Sequence, residues 1–384
     1  MKKPFADLNR TSDLIREFTP NWFTVTMGTG VVALIIAESP LASDLFWQIG
    51  AGLWLFNIVL FTVFMSLYAL RWMYYPVEAK QIFQHPNMSL FLGAIPMGLA
   101  TIINGFLKFG LVQFGDIAVQ IAEWLWYADV VLAVVIAWIV PFCMYSRQQH
   151  ELKTMTAVWL LPIVACEVAA SSGGLFVAHL APTSQSVMIL LGSYMLWGIS
   201  VLPAFAILTI LMLRLALHQL PAKEMAISSW LALGPIGTGA LALILLGQQA
   251  PQVLAAIDQQ SLGIFLQQVG IIGALILLGF GVWWFGIALL TTVYHAKKQL
   301  PFNLGWWGLT FPIGVFTLAV FNLAVALQLQ LLYAVAYAFG FVLVMLWMLV
   351  ATKTAVGFYQ GHLIFSPCLK QYLQEQQLAK VTEK

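Results

Sequence analysis

Apolar residues run along this chain in blocks of about 20, the length that carries an α-helix across the hydrocarbon layer of a bilayer. The blocks predict ten spans, near 20–38, 46–72, 89–109, 118–145, 156–179, 186–214, 228–249, 262–293, 306–328 and 330–353. The even-numbered blocks are mostly longer and more uniformly apolar, as from Leu53 to Leu70, and read as outer helices facing lipid. Each block far exceeds the roughly 10–14 residues of a buried helix in a soluble protein.

The odd-numbered blocks share a second pattern. Pro96-Met97-Gly98, Pro162-Ile163-Val164, Pro235-Ile236-Gly237 and Pro312-Ile313-Gly314 fall at equivalent depths, one helical hairpin apart. The first block joins through glycine, since Met27-Gly28-Thr29-Gly30 matches Ile236-Gly237-Thr238-Gly239, with Thr26 where the others carry proline. Proline removes an N–H and clashes with the carbonyl one turn back, so it kinks a helix. Broken backbone inside a membrane persists where it is buried in protein or lines a water-filled path. The predicted fold is therefore all-α and membrane-integral, with five helical hairpins around a central pore lined by the odd helices. Close packing through small residues is the competing explanation of the same glycines.

Composition agrees, with 61% apolar and 8% charged residues in 384, against about 45–50% and about 25% in ordinary soluble domains. A soluble fold is excluded. All Lys and Arg but Lys108 fall on one side of the ten-span layout, which by the positive-inside rule predicts cytoplasmic termini and a multi-pass protein of the cell membrane. That side holds Lys2, Lys3, Lys298, Lys380 and Lys384 among others. The expected organisation is a cytoplasmic segment 1–17, a transmembrane domain 18–355 and a cytoplasmic tail 356–384. Residues 8–18 can form a short helix lying on the inner surface, or a disordered tail; the C-terminal tail reads as a frayed helix.

Candidate chemistry is sparse. The position four after the proline reads Gly30, Ala100, Cys166, Gly239 and Phe316, and the position before it reads Val25, Ile95, Leu161, Gly234 and Phe311. Either set could place one phenylalanine across a narrow lumen and exclude water. Glu167, five residues after Pro162, is in register with Thr101 and Thr317, so a polar ring is conceivable there. Burial favours its protonated form, suited to hydrogen-bonding an anion or carrying a coupling proton. Glu123 and Asp129 on the fourth span read as structural. No Lys or Arg sits deep in a lining span, so an anion would be held by backbone N–H groups, hydroxyls and helix dipoles; Lys108 stands at the outer mouth after Asn104. Cys143, Cys166 and Cys368 lack metal or disulfide spacing, and four of the six His fall in or near inner loops. The GxGxxA matches at Gly28 and Gly237 lie inside spans, without the strand that motif needs, and no phosphate-binding loop occurs. Enzyme activity, metals, cofactors and nucleic acid are not expected.

Four segments carry a resemblance: FTPNWFTVTMGTG at 18–30, HPNMSLFLGAIPMGLATIING at 85–105, WLLPIVACEVAASSGGL at 159–175 and WWGLTFPIGVF at 306–316. The chain resembles the tellurite-resistance/dicarboxylate transporter family, whose members include plant slow anion channels, bacterial TehA, yeast malate permease and fungal sulfite efflux pumps. The resemblance covers residues 18–355 and is strongest toward the sulfite-efflux and malate-permease branch. It implies a homotrimer, five kinked inner helices around a pore, and an occluding phenylalanine on the ninth helix that matches Phe311. The pore-lining set expected on these grounds is Gly28, Thr29, Gly30, Pro96, Gly98, Thr101, Pro162, Glu167, Pro235, Gly237, Gly239, Pro312, Gly314 and Thr317. The expected function is transport of a small anion, sulfite first and a C4-dicarboxylate such as malate second, through a phenylalanine-gated pore. A chloride or nitrate channel and a tellurite-resistance protein are the alternatives, and an intramembrane enzyme is a remote one.

Overall fold

The computed structural model describes residues 5, 8, 10, 12–39, 43–297 and 299–382; Lys2, Lys3, Lys298 and Lys384 lie outside them. No strand occurs among the described residues. Among the described residues nine helices are long and apolar enough to cross a membrane: α2 (Asp44–Tyr74), α3 (Ser89–Phe114), α4 (Asp116–Ser146), α5 (Ala157–Val177), α6 (Ser184–His218), α7 (Lys223–Ile257), α8 (Gln260–Ala296), α9 (Leu304–Leu327) and α10 (Gln330–Gln360). A shorter apolar helix, α1 (Pro20–Ile36), precedes them. All ten predicted blocks are thus helical, while the number that span by length is nine.

Burial separates two sets. In the most apolar stretch of α3, α5, α7 and α9, 72–94% of residues are buried, against 17–33% in α2, α4, α6, α8 and α10. In α1 every residue from Phe23 to Ile35 is buried. The odd helices touch in the order α1, α3, α5, α7, α9 and back to α1, closing a ring. Each even helix lies in the groove between the odd helix before it and the next one around: α2 against α1 and α3, α4 against α3 and α5, α6 against α5 and α7, α8 against α7 and α9, α10 against α9 and α1. Lipid is as apolar as these side chains, so close backbone approach and interhelical hydrogen bonds must hold the ring together.

Both devices are present. A Cβ on Gly314 of α9 would lie 2.6 Å from Val31 of α1, and one on Gly237 of α7 would lie 2.7 Å from the backbone of Phe316, so these seams admit only glycine. A tryptophan on four of the outer helices clasps the next inner helix. Trp54 donates to the Ile102 carbonyl (3.1 Å), Trp126 to the Ala169 carbonyl (2.9 Å), Trp197 to the Gly239 carbonyl (3.0 Å) and Trp347 to the Thr29 hydroxyl (3.2 Å). On α8, Trp284 reaches back to the Ser229 carbonyl of α7 (2.9 Å).

The proline breaks are more specific than kinks. Every inner helix opens with a 3₁₀ stretch, over Pro20–Trp22, Ser89–Gly93, Ala157–Leu160, Lys223–Ala232 and Leu304–Leu309. The α-helical part then begins at Phe23, Ala94, Leu161, Leu233 and Phe311. Pro96, Pro162, Pro235 and Pro312 fall in the first turn of these α-helical parts, where a missing N–H costs nothing. The Val158 carbonyl, which Pro162 leaves without its α-helical donor, accepts from Leu161 N–H instead. Proline is not confined to the inner set, since Pro141 and Pro203 lie within outer helices α4 and α6.

The two chain ends meet at one end of the bundle. Asp13–Arg16 is a single helical turn, fixed by a two-pronged pair from Arg16 to Glu78 at 2.6 and 2.7 Å. A helix runs over Pro367–Thr382, and its start is anchored rather than free. Buried Arg71, at the end of α2, donates to the Phe18 carbonyl (2.5 Å) and the Ser366 hydroxyl (3.2 Å), while Ser366 N–H donates to the Glu17 carboxylate (3.0 Å).

Candidate functional site

The closed ring has an axis, and the side chains of α9 show which residues face it. Phe316 does not. Its ring lies against Phe339 of α10 at 5.8 Å and fills the space beside Gly281 of α8. Both partners belong to the outer layer. Five residues back along an α-helix is a rotation of about 140°, so Phe311 leaves α9 on a different face from the one that meets Phe339 and Gly281. Phe311 is buried (2% exposed), and among the described residues it makes no ring-to-ring contact. In the next inner helix the repeat-equivalent position is Gly234, itself buried, where an added Cβ would meet no atom within 4 Å. Open space beside a buried glycine, in register with Phe311, marks the level where the ring encloses room for a side chain.

The other expected lining residues fall mostly on the seams. Gly28 is pressed against Thr310 and Trp307 of α9, Gly30 against Thr101 and Asn57, Gly98 against Thr26 and Phe61, and Gly239 against Val201 and Leu277. With Gly237 and Gly314 they are packing glycines, so the small-residue explanation holds for all six. Thr29 accepts from Trp347 at the α10 contact.

Thr101, Glu167 and Thr317 do not form a ring. Thr101 accepts from Asn57 of α2 (3.2 Å). Thr317 donates to its own helix at Ile313 (2.7 Å) and lines a groove toward α10. Glu167 lies on the α5–α7 seam, its Oε2 3.7 Å from where a Cβ on Gly239 would sit. Ser200 of α6 stands beside it, yet neither side chain has a hydrogen bond of ordinary geometry. Asp129 on α4 is equally buried and also lacks a partner. Asp129 follows Trp126 by one turn on the α4 face whose indole donates to Ala169 of α5, the helix that carries Glu167. Two buried carboxyls without a hydrogen-bond partner among the described residues, one on an inner and one on an outer helix, therefore sit on the packed α4–α5 pair. Glu123, by contrast, is an exposed partner of Gln185 (2.7 Å).

Asn104 is half-buried near the opposite end of α3. There Lys108 pairs with Glu38, within a π-helical stretch, Phe106–Gly110. A paired lysine is a weaker attractor for anions than a lone one.

Sequence reasoning missed the tryptophan clasps and the 3₁₀ leads. Trp54, Trp126, Trp197 and Trp347 fall on four of the five even blocks, and that recurrence was the available signal. The 3₁₀ leads have no comparable signature.

Comparison with known proteins gives a consistent set. Residues 17–355 match the family described as voltage-dependent anion channel. A sulfite efflux pump of Arthroderma otae is 37% identical over 307 residues, covering 79% of this chain and 81% of its own length. An uncharacterized transporter of Methanocaldococcus jannaschii is 27% identical over 91% of this chain and 96% of its own. A malic acid transport protein of Schizosaccharomyces pombe is 23% identical over 81% and 71%.

Proposed function

The chain belongs to the voltage-dependent anion channel family, and from that premise we propose that it carries a small anion along the axis of its five-helix ring, with Phe311 as the occluding side chain. Sulfite is the first substrate, because the relative at 37% identity is a sulfite efflux pump; a C4-dicarboxylate such as malate is the second, from the malic acid transport protein. The observation that carries the reading is the opposition of Phe311 and Phe316. One faces the enclosed space that Gly234 leaves open, and the other is spent on packing.

An aromatic side chain in a narrow apolar passage blocks it by excluding water, and its displacement rewets the path. No ammonium or guanidinium needs to enter the ring for this to work. An anion meets a weakly binding path, which favours flux over retention. The basic end of the bundle, with Arg10, Arg16, Arg71, Lys80, Arg147, Lys153, Arg214, Lys223, Lys297 and Lys353, is the cytoplasmic end in this reading. The assembly is a homotrimer, and the cell membrane is its place.

A proton-coupled form of the same transport is favoured by one observation, the burial of Glu167 and Asp129 without a hydrogen-bond partner among the described residues. An ionised carboxylate without a partner at such a depth is costly. Each is therefore carried as a neutral acid until movement of α5 against α7 opens it to water. The deciding experiment is flux of sulfite and of malate in proteoliposomes. Flux of either at rates above protein-free vesicles supports the assignment, and absence of both overturns it.

A further inference from the structure

Between α8 and α10 the outer layer opens into a groove of about 530 Å³ that reaches through to α9. Its floor includes Leu309 and Ile313, which bracket Thr310, Phe311 and Pro312. Its walls are apolar. The one hydroxyl among the lining side chains, Thr292, is occupied, accepting from Trp230 Nε1 (2.8 Å) and donating to the Ala288 carbonyl (2.9 Å). A groove with no free polar atom gives water nothing to bind, so its natural occupant is a hydrocarbon chain.

Length and charge narrow the occupant further. Along α10 the lining runs from Ala338 to Leu349, about 17 Å of helix, close to the ~15 Å of one leaflet's hydrocarbon. At the deep end Phe339 closes the groove, held between Phe285 (5.3 Å) and Phe316 (5.8 Å). At the shallow end, one turn beyond Leu349, Lys353 extends its ammonium over the rings of Trp306 (5.3 Å) and Phe302 (5.6 Å). Trp306 lines the groove mouth. The ring faces hold the cation in place without using its three N–H donors. Lys353 is exposed and has no carboxylate partner among the described residues. A tryptophan and a lysine together at the rim of an apolar slot one leaflet deep are the two contacts a phospholipid offers, an interfacial glycerol backbone and a phosphate.

We propose that this groove is a binding site for an anionic phospholipid of the leaflet at the basic end, with an acyl chain along Leu309, Ile313, Val342 and Leu346 and its phosphate on Lys353. The chain then forms the outer backing of α9 at the level of Phe311, and its presence limits how far that helix can swing outward. The binding site stands on the groove and Lys353 alone; its link to transport rests on the reading of Phe311 as the occluding side chain.

The test uses the purified full-length protein in mild detergent, titrated with phosphatidylglycerol or with phosphatidylcholine and weighed intact by native mass spectrometry. Phosphatidylglycerol binds more tightly than phosphatidylcholine. Lys353→Gln, at an exposed position, lowers phosphatidylglycerol affinity about fivefold, the worth of one interfacial lysine, and lowers phosphatidylcholine affinity less, because choline offsets the charge of its phosphate. Val342→Trp fills the slot and removes both; Leu346→Phe is the milder filler if that variant does not fold. Equal affinity for the two lipids, or wild-type binding in the filled variants, overturns the site. If filling the slot dissociates an oligomer with lipid binding intact, the groove is a contact between copies and the proposal fails. These readouts are independent of flux, so a transport assignment that fails does not decide them. Flux in reconstituted vesicles that is equal with and without phosphatidylglycerol overturns the link to Phe311.

Discussion

Phe316 packs over Gly281: a Cβ on that glycine would lie 2.4 Å from the phenylalanine ring. The contact commits one of the two candidate phenylalanines of α9 to the outer layer, and it separates two mutations that look alike in sequence. Phe311→Ala should raise anion conductance by about tenfold or more, equivalent to removing at least ~1.4 kcal/mol of barrier. Phe316→Ala should leave conductance near wild type and cost about 3–5 kcal/mol of stability, as expected for a buried phenylalanine. Conductance in planar bilayers and thermal melting in detergent check the pair, and the opposite assignment of effects would reverse the roles.

Glu167 bears on coupling. Glu167→Gln keeps the shape and removes the titration, so flux measured across the neutral pH range should lose most of its pH dependence while its maximum rate is kept. Asp129→Asn should do the same in part, because Asp129 is another wholly buried carboxyl without a hydrogen-bond partner among the described residues. A pH profile unaltered in both variants makes the two carboxyls structural.

The clasp from Trp197 to the Gly239 carbonyl (3.0 Å) is a half-buried hydrogen bond between layers. Trp197→Phe should cost about 0.5–1.5 kcal/mol and lower the melting temperature. Anion selectivity should not change, since the indole faces the seam and not the axis.

His85 leads into α3 from outside the membrane, its Nδ1 accepting from the N–H groups of Asn87 (3.2 Å) and Met88 (3.1 Å). Burial pushes its pKa below the ordinary histidine value. The unfolded chain therefore takes up a proton more readily than the folded one. Stability is unaffected at alkaline pH and falls as pH drops through about 6.5, the free histidine value. His85→Asn keeps an acceptor and removes the titration, so its melting temperature should fall less between neutral and mildly acidic pH than that of the wild type.

Arg71 joins the two ends of the chain through the Phe18 carbonyl and the Ser366 hydroxyl. Arg71→Ala should free the segment around Pro367, seen as faster cleavage there under limited proteolysis. Lys370→Ala, at an exposed neighbour, should not.

The layered fold was legible because it depends on properties a sequence displays directly. Run length and uniformity of hydrophobicity separated α2 from α1, and the prolines set the hairpin register. Side-chain direction was not legible. Phe311 and Phe316 occupy equally plausible repeat positions, and only the contacts of Phe316 with Gly281 and Phe339 show which faces outward. The glycines were ambiguous for a related reason. Gly28 and Gly98 give the backbone access to whatever lies beside it, and a sequence cannot say whether that neighbour is a lumen or another helix. Glu167 could be flagged as costly from its position alone, but its place on the seam with Gly239 of α7, without a hydrogen-bond partner among the described residues, needed the fold.

Where α9 meets α1, Gly314 lies on Val31, and that seam joins the first inner helix to be synthesised with the last. Until α9 is inserted, the growing chain is a crescent of four hairpins whose inner face is bare to lipid. The proposed passage therefore closes only when α9 joins α1, and a chain truncated before Leu304 should carry no anion along it.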